Sequence, residues 1–227
     1  MPIKLLSRTF FLLGIGLLLA ACISDSPTPE TSLLYVQHTF AVHPWLEAVQ
    51  SCAGERPVIF EQRAANFLNP DETVAFAIRI GEPTPLLFLA YEIAREDVVV
   101  ILHPDNPTHA LTREQVRALF SGSITNWKEV GGTDAPVHVW IFPPGEDVQQ
   151  VFTTALEGIR ITTFARLAAK PETMLQAIAE DPHAIGLITR RLLDKRVRAT
   201  FTIVSAPVLL MTSTESPAAE LAGCLRE

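Results

Sequence analysis

The chain has 227 residues, 48% of them hydrophobic, and a formal net charge of −7 at pH 7. That length suffices for one large or two small cored domains, and the acidic balance argues against nucleic acid or an anionic surface as partner. No zinc spacing relates its six histidines, and neither a Gly-x-Ser-x-Gly elbow nor a phosphate-cradling Gly-x-x-x-x-Gly-Lys loop occurs, so no cofactor, metal or enzymatic activity is expected from these motifs.

The first 21 residues read as a leader. Lys4 and Arg8 form a positive start, and Phe10 to Ala21 is apolar over about a dozen residues, short of the ~20 a membrane span needs. The run ends Leu19-Ala20-Ala21-Cys22, which resembles a bacterial lipobox; the resemblance implies that Cys22 becomes a lipidated first residue, with an ordinary secretory peptide or an uncleaved anchor as the alternatives. Residues 24–32 (SDSPTPETS) read as a polar tether, holding the domain at the outer face of the cell membrane. Lys4 and Arg8 leave with the leader and no acid does, so the net charge deepens from −7 to −9.

Two cysteines remain, Cys52 and Cys224. In an extracytoplasmic compartment they pair as a disulfide joining the first helix to the last, or else stay as two buried thiols.

Along the chain, Leu33 to Val36 is a short strand and His43-Pro44 opens a helix to Cys52 with Trp45 and Val49 inward. Pro57 to Gln62 and Val74 to Ile80 are strands, separated by Arg63 to Glu72, too short for a full turn-helix-turn. Leu86 to Ala90 followed by Val98 to Leu102 reads as a crossover into a second domain, the latter run being a buried strand. Then comes LTREQVRALFSGSITNWKEVGG, residues 111–132. Thr112 and Gln115 have the spacing of a capping box, Leu111 and Val116 that of a hydrophobic staple, and Gly122 is placed to end the helix in a left-handed residue. Val137 to Phe142 is a strand, Pro143 to Val148 opens a helix through Leu156, and Lys170-Pro171-Glu172 starts another. His183 to Ile188 is a return strand, Arg190, Arg191, Lys195, Arg196 and Arg198 form a basic cluster (a solvated face or a partner patch), Phe201 to Thr212 leads back, and Pro217 to Leu225 closes the chain as a helix.

The stretch at 111–132, with its lead-in VVVILHPDNPTHA, resembles the phosphate-binding, PstS-like branch of the periplasmic solute-binding proteins. The resemblance implies an α/β, type 2 periplasmic-binding-protein fold: two domains on a hinge, 33–97 with 200–227 and 98–199, around a ligand cleft. It also implies a small solute as ligand (phosphate, another oxyanion or another small polar molecule) and the membrane permease of an ABC transporter as partner. Thr39 and Phe40 stand where that family touches its ligand, although Gln37 and His38 replace its preceding glycines; the alternative is that Thr39 caps the following helix and Phe40 is core. Arg79 either faces the cleft as an anion ligand or sits solvated or ion-paired.

The family's Gly-Ser-Gly-Thr loop is replaced by Gly145-Glu146-Asp147-Val148. A carboxylate near phosphate costs on the order of a kcal/mol or more, while at a helix N-terminus it is at home. Asp147 therefore caps the helix, or Glu146 or Asp147 faces the cleft, where it fills the anion pocket itself or selects a cationic or polyhydroxy ligand. The expected function is solute binding for a transporter of the phosphate-uptake type; because the Gly-Ser-Gly-Thr loop is replaced, the ligand stays open between phosphate or another oxyanion and some other small solute. The alternative is a scaffold or sensor lipoprotein that keeps the fold without a ligand.

Overall fold

β-Branched and aromatic runs punctuated by Pro and Gly form eight strands in one sheet. In chain order these are β1 (Leu34–His38), β2 (Val58–Gln62), β3 (Phe76–Ile80), β4 (Leu89–Leu102), β5 (His138–Ile141), β6 (Arg166–Leu167), β7 (Ala184–Thr189) and β8 (Arg198–Thr212). The helices are α1 (Leu46–Cys52), α2 (Arg113–Ser121), α3 (Asp147–Ala155), α4 (Pro171–Glu180) and α5 (Ala218–Leu225). The computed structural model describes residues 33–71, 74–213 and 218–226. The predicted leader, the lipidation of Cys22 and the tether lie outside the described residues. Residues 31–227 group as a single unit.

The strand order is β2-β1-β3-β8-β4-β7-β5-β6. β1 pairs in parallel with β2 and β3 on one side, and β5 in parallel with β6 and β7 on the other. β4 and β8 run antiparallel between these halves, from Leu89 opposite Thr212 to Leu102 opposite Arg198. The predicted break between Ala90 and Val98 is therefore a correction: both runs are one 14-residue strand. Charges at Glu92, Arg95, Glu96 and Asp97 interrupt the apolar pattern, but Arg95 reaches across to the Ser205 carbonyl at 2.6 Å and the ladder continues, with register slips at Glu92/Ala94, Val98/Val99 and Val100/Ile101. β8 likewise starts at Arg198, ahead of the predicted Phe201.

Val98 to Leu102 is wholly buried, as are Val36, Ile78, Ile80, Leu187 and Ile188. Each such side chain stabilises the fold by roughly 1.5–3 kcal/mol relative to exposure. These residues share a single core with the helices. On the opposite face of β3 and β8, Ala77, Leu209 and Met211 form a small separate cluster, covered by Leu68, Phe88 and Ala90. The segment between β2 and β3 supplies only a short 3-10 turn, Ala65–Phe67, to cover that face.

The 111–132 stretch folds as its residues predict. Thr112 Oγ1 accepts the Gln115 N–H at 3.2 Å and the Gln115 side chain accepts the Thr112 N–H at 2.9 Å. Leu111 and Val116 are buried, and Gly122 caps the helix at φ 77°. A second capping box, Asn126 with Glu129, follows and was not foreseen. Between them Trp127 is buried and its indole N–H donates to the His183 carbonyl at 2.9 Å, tying the stretch to the start of β7. At Gly186 a Cβ would lie 2.5 Å from Met174 Sδ, so α4 packs on β7 where the glycine leaves room.

Cys52 of α1 is bonded to Cys224 of α5, closing the outer half. The basic cluster is a network rather than a free patch. Arg190 pairs with Asp97 at 3.0 Å, Arg191 with Glu96 at 3.3 Å, and Arg196 with Glu172 and Asp194 at 2.7 Å each. Arg198 donates to the carbonyls of Asn106 and Thr108.

Candidate functional site

Three chain segments converge where the halves of the sheet meet: Thr39 just past β1, Arg79 and Ile80 at the end of β3, and Asp147 in the first turn of α3. Gly81 makes the approach possible. Its φ is 69°, and a Cβ there would fall 2.3 Å from Val151 Cγ2 of α3. The N-terminus of α3 therefore sits directly against the end of β3.

Asp147 is fully buried, and both its oxygens accept hydrogen bonds, three in all among the described residues. Oδ2 accepts the Thr39 hydroxyl at 2.6 Å and the Ile80 N–H at 2.8 Å; Oδ1 accepts the N–H of Val148 at 2.8 Å. Two of these donors belong to the β1–β3 half, whereas Asp147 belongs to the half built on β5. Burial pushes the Asp147 carboxyl above its usual range, opposed by Thr39, the Ile80 N–H, the Arg79 charge and the Val148 N–H. Such a carboxylate needs its donors, because a buried charge without them costs several kcal/mol.

Asp147 does not cap its helix. The cap position belongs to Glu146, whose side chain makes no capping bond. Its Oε2 is buried without a hydrogen-bond partner among the described residues. Burial, then the neighbouring Asp147, raises the Glu146 carboxyl to about 7. Gly145 faces the other half with its carbonyl, which accepts the Asn66 N–H at 3.3 Å.

Thr39 makes no capping bond either; its hydroxyl is spent on Asp147. Phe40 is core, 5% exposed, with its ring 4.8 Å from that of Phe142, so its side chain faces no cleft. Arg79 is neither solvated nor ion-paired. It is 3% exposed, donates from Nε to the Ile80 carbonyl at 3.2 Å and from Nη2 to Gln150 Oε1 at 2.8 Å. Among the described residues no carboxylate lies within ion-pairing distance of it. Burial lowers its pKa, with the Asp147 charge acting against that.

Gln150 was not anticipated. One turn after Glu146, it joins Arg79 to Asn66, donating to Asn66 Oδ1 at 2.7 Å. Nothing about a glutamine inside a helix marks it in sequence as a bridge. Arg79, Gln150 and Asn66 border a cavity of about 440 Å³ on the thinly covered face of β3 and β8. Among the described residues no group of three or more His, Cys, Asp or Glu side chains could hold a metal ion, and no helix is long and apolar enough to cross a membrane.

A hydroxyl, two backbone N–H groups and a nearby guanidinium thus surround the buried carboxylate of Asp147. The family described as PBP superfamily domain matches residues 87–215. The phosphate-binding protein PstS of Bacillus subtilis (strain 168) is 26% identical over 111 residues, 48% of this chain; the match spans 37% of that relative's length. Among solved structures, a putative phosphate ABC transporter substrate-binding protein with bound phosphate from Clostridium perfringens superposes with a TM-score of 0.76 at 19% identity, covering 86% of this chain and 93% of that one. The regulatory domain of OxyR2 from Vibrio vulnificus superposes with a TM-score of 0.60 at 10% identity, covering 86% of this chain and 96% of that one. At such identities the structural likenesses establish the fold alone. It is the type 2 periplasmic-binding-protein fold, and with a family match over more than half its length the chain belongs to the PBP superfamily.

Proposed function

We propose that the protein is an extracytoplasmic solute-binding lipoprotein, held through Cys22 at the outer face of the cell membrane, which delivers a small solute other than inorganic phosphate to the permease of an ABC transporter. The family and the phosphate-related relatives support the binding role. The observation that carries the exclusion of phosphate is the carboxylate of Asp147 lying on the Thr39 hydroxyl and the Ile80 N–H. In this reading Asp147 is the resident anion of the pocket, and Glu146 adds a second charge that a dianion meets on approach. The hinge lies in β4 and β8, where the ladder slips register and the predicted boundaries 97/98 and 199/200 fall.

Isothermal titration of the purified full-length protein tests this. Phosphate and sulfate are expected to give no binding up to about 1 mM. Micromolar phosphate binding would overturn the exclusion.

A second reading, a scaffold or sensor lipoprotein, draws on the same bond. Asp147 joins the two halves without any solute, which is what a protein locked in one state requires. Thermal shifts with a broad panel of acids, amines and sugars separate the two: a shift for any solute favours transport, and none favours the scaffold.

A further inference from the structure

Arg79 differs from the other arginines near the sheet. Arg190, Arg191 and Arg196 each meet a carboxylate, and Arg198 meets two carbonyls. Arg79 is more deeply buried than a surface cation, yet among the described residues its hydrogen bonds go only to one carbonyl and one neutral amide. The nearby Asp147 is spent on three other donors. A guanidinium has five N–H donors in a planar fork, so Arg79 keeps donors in hand, and it borders an open cavity.

The cavity is two-ended. At one end stand Arg79, Asn66 and Gln150; the wall beyond is apolar, with Leu68, Phe88 and Met211. Its volume of about 440 Å³ falls within the ~300–1,000 Å³ usual for small-molecule sites. Over this face the described part of the segment between β2 and β3 lays a short 3-10 turn, Ala65–Phe67, and no longer helix. Sheet alternation aims Arg79 and Ala77 at the same face, away from Ile78 and Ile80.

We infer that this cavity is the solute site, and that it takes a small monocarboxylate with an apolar body, its carboxylate on the free edge of Arg79 and its hydrocarbon against Phe88, Leu68 and Met211. The inference rests on the solute-binding reading above and names its substrate class. Fork-to-carboxylate pairing suits the geometry of a guanidinium. The local charge selects a monoanion: Arg79 is the one cation lining the cavity, with Glu82 at the rim and the Asp147 charge acting on Arg79 from behind, so a phosphate or sulfate dianion meets more repulsion than one positive charge offsets. The apolar wall excludes a purely polar solute, which would leave it bare.

The test is isothermal titration of the full-length protein in detergent with isovalerate and phenylacetate, beside inorganic phosphate, isobutylamine and glucose. At least one of the two carboxylates is expected to bind with a Kd on the order of 0.1 mM or tighter. Arg79→Gln is expected to weaken it about 30-fold, the worth of a charge-assisted hydrogen bond. Because Arg79 is buried, Thr154→Trp serves as a second variant: Thr154 is an exposed rim residue of the cavity, and the indole is expected to block binding without lowering Tm. Failure of both carboxylates to bind overturns the inference, as does binding that survives both substitutions. If isobutylamine or glucose binds where the carboxylates do not, the substrate class is wrong while the solute-binding reading stands. Micromolar phosphate binding overturns the exclusion of phosphate and with it the selection of a monocarboxylate, while the solute-binding reading stands.

Discussion

The N-termini of α2 and α3 face the same physical problem and solve it in opposite ways. Both leave backbone N–H groups without intrahelical partners. At α2 the solution is local: Thr112 and Gln115 satisfy each other's backbone within one turn. At α3 the cap residue Glu146 makes no such bond, and Asp147 satisfies only the adjacent Val148 N–H with one oxygen. Its other oxygen is committed to Thr39, 108 positions away, and Ile80, 67 positions away. The first helix end stabilises itself; the second holds two halves of the molecule together, and leaves Glu146 with a buried oxygen that has no partner among the described residues.

Removing Asp147 should therefore cost far more than removing Thr112. Asp147→Ala leaves the Thr39 hydroxyl and the Ile80 and Val148 N–H groups without their partner, and is expected to lower stability by about 3 kcal/mol in urea denaturation. An effect below about 1 kcal/mol would mean that the halves are not joined through this carboxylate. Glu146 comes next, with the opposite sign. Its folded pKa of about 7 lies above the ordinary value, so the folded state binds the extra proton, and the stability this brings is present at low pH and lost as pH rises through 7. Glu146→Gln should therefore stabilise the protein by about 1–2 kcal/mol at pH 8, after allowing for partial solvation, and change little at pH 4. A wild-type stability that is flat between pH 5 and 8 would contradict this. Thr112→Ala should cost least, about 1 kcal/mol, with no effect on any binding measurement.

The same contrast governs what the sequence made legible. Capping boxes are short-range signatures, so the entrance of α2 and the Gly122 stop were readable; the box at Asn126 and Glu129 carried the same spacing and was passed over. Cys52 and Cys224 were readable because only two cysteines remained to pair. The strand β4 was split because charges that emerge on the uncovered stretch between the halves look like a loop when only hydrophobicity is read. At α3 the residue types identified Glu146 and Asp147 as the point of departure, but an aspartate in a first helical turn suits both a cap and a long-range contact. Only the fold brings Thr39 and Ile80 to it. Phe40 stays open in sequence for a related reason: an apolar residue beside a ligand loop and one in the core have the same sequence pattern, and the fold places its ring in the core against Phe142.

The central claim is that the carboxylate of Asp147 stands where an anion would otherwise bind, and Asp147→Gly tests it most directly. The variant keeps the Thr39 hydroxyl, the Ile80 and Val148 N–H groups and Arg79, and restores the glycine that the family's loop carries. Titration with inorganic phosphate is best done near pH 6, where Glu146, with its pKa of about 7, is mostly neutral. The wild type is expected to show no binding up to about 1 mM, and the folded variant to bind at least tenfold more tightly than that limit. A folded variant with no gain, or a wild type that already binds phosphate in the micromolar range, would contradict the central claim.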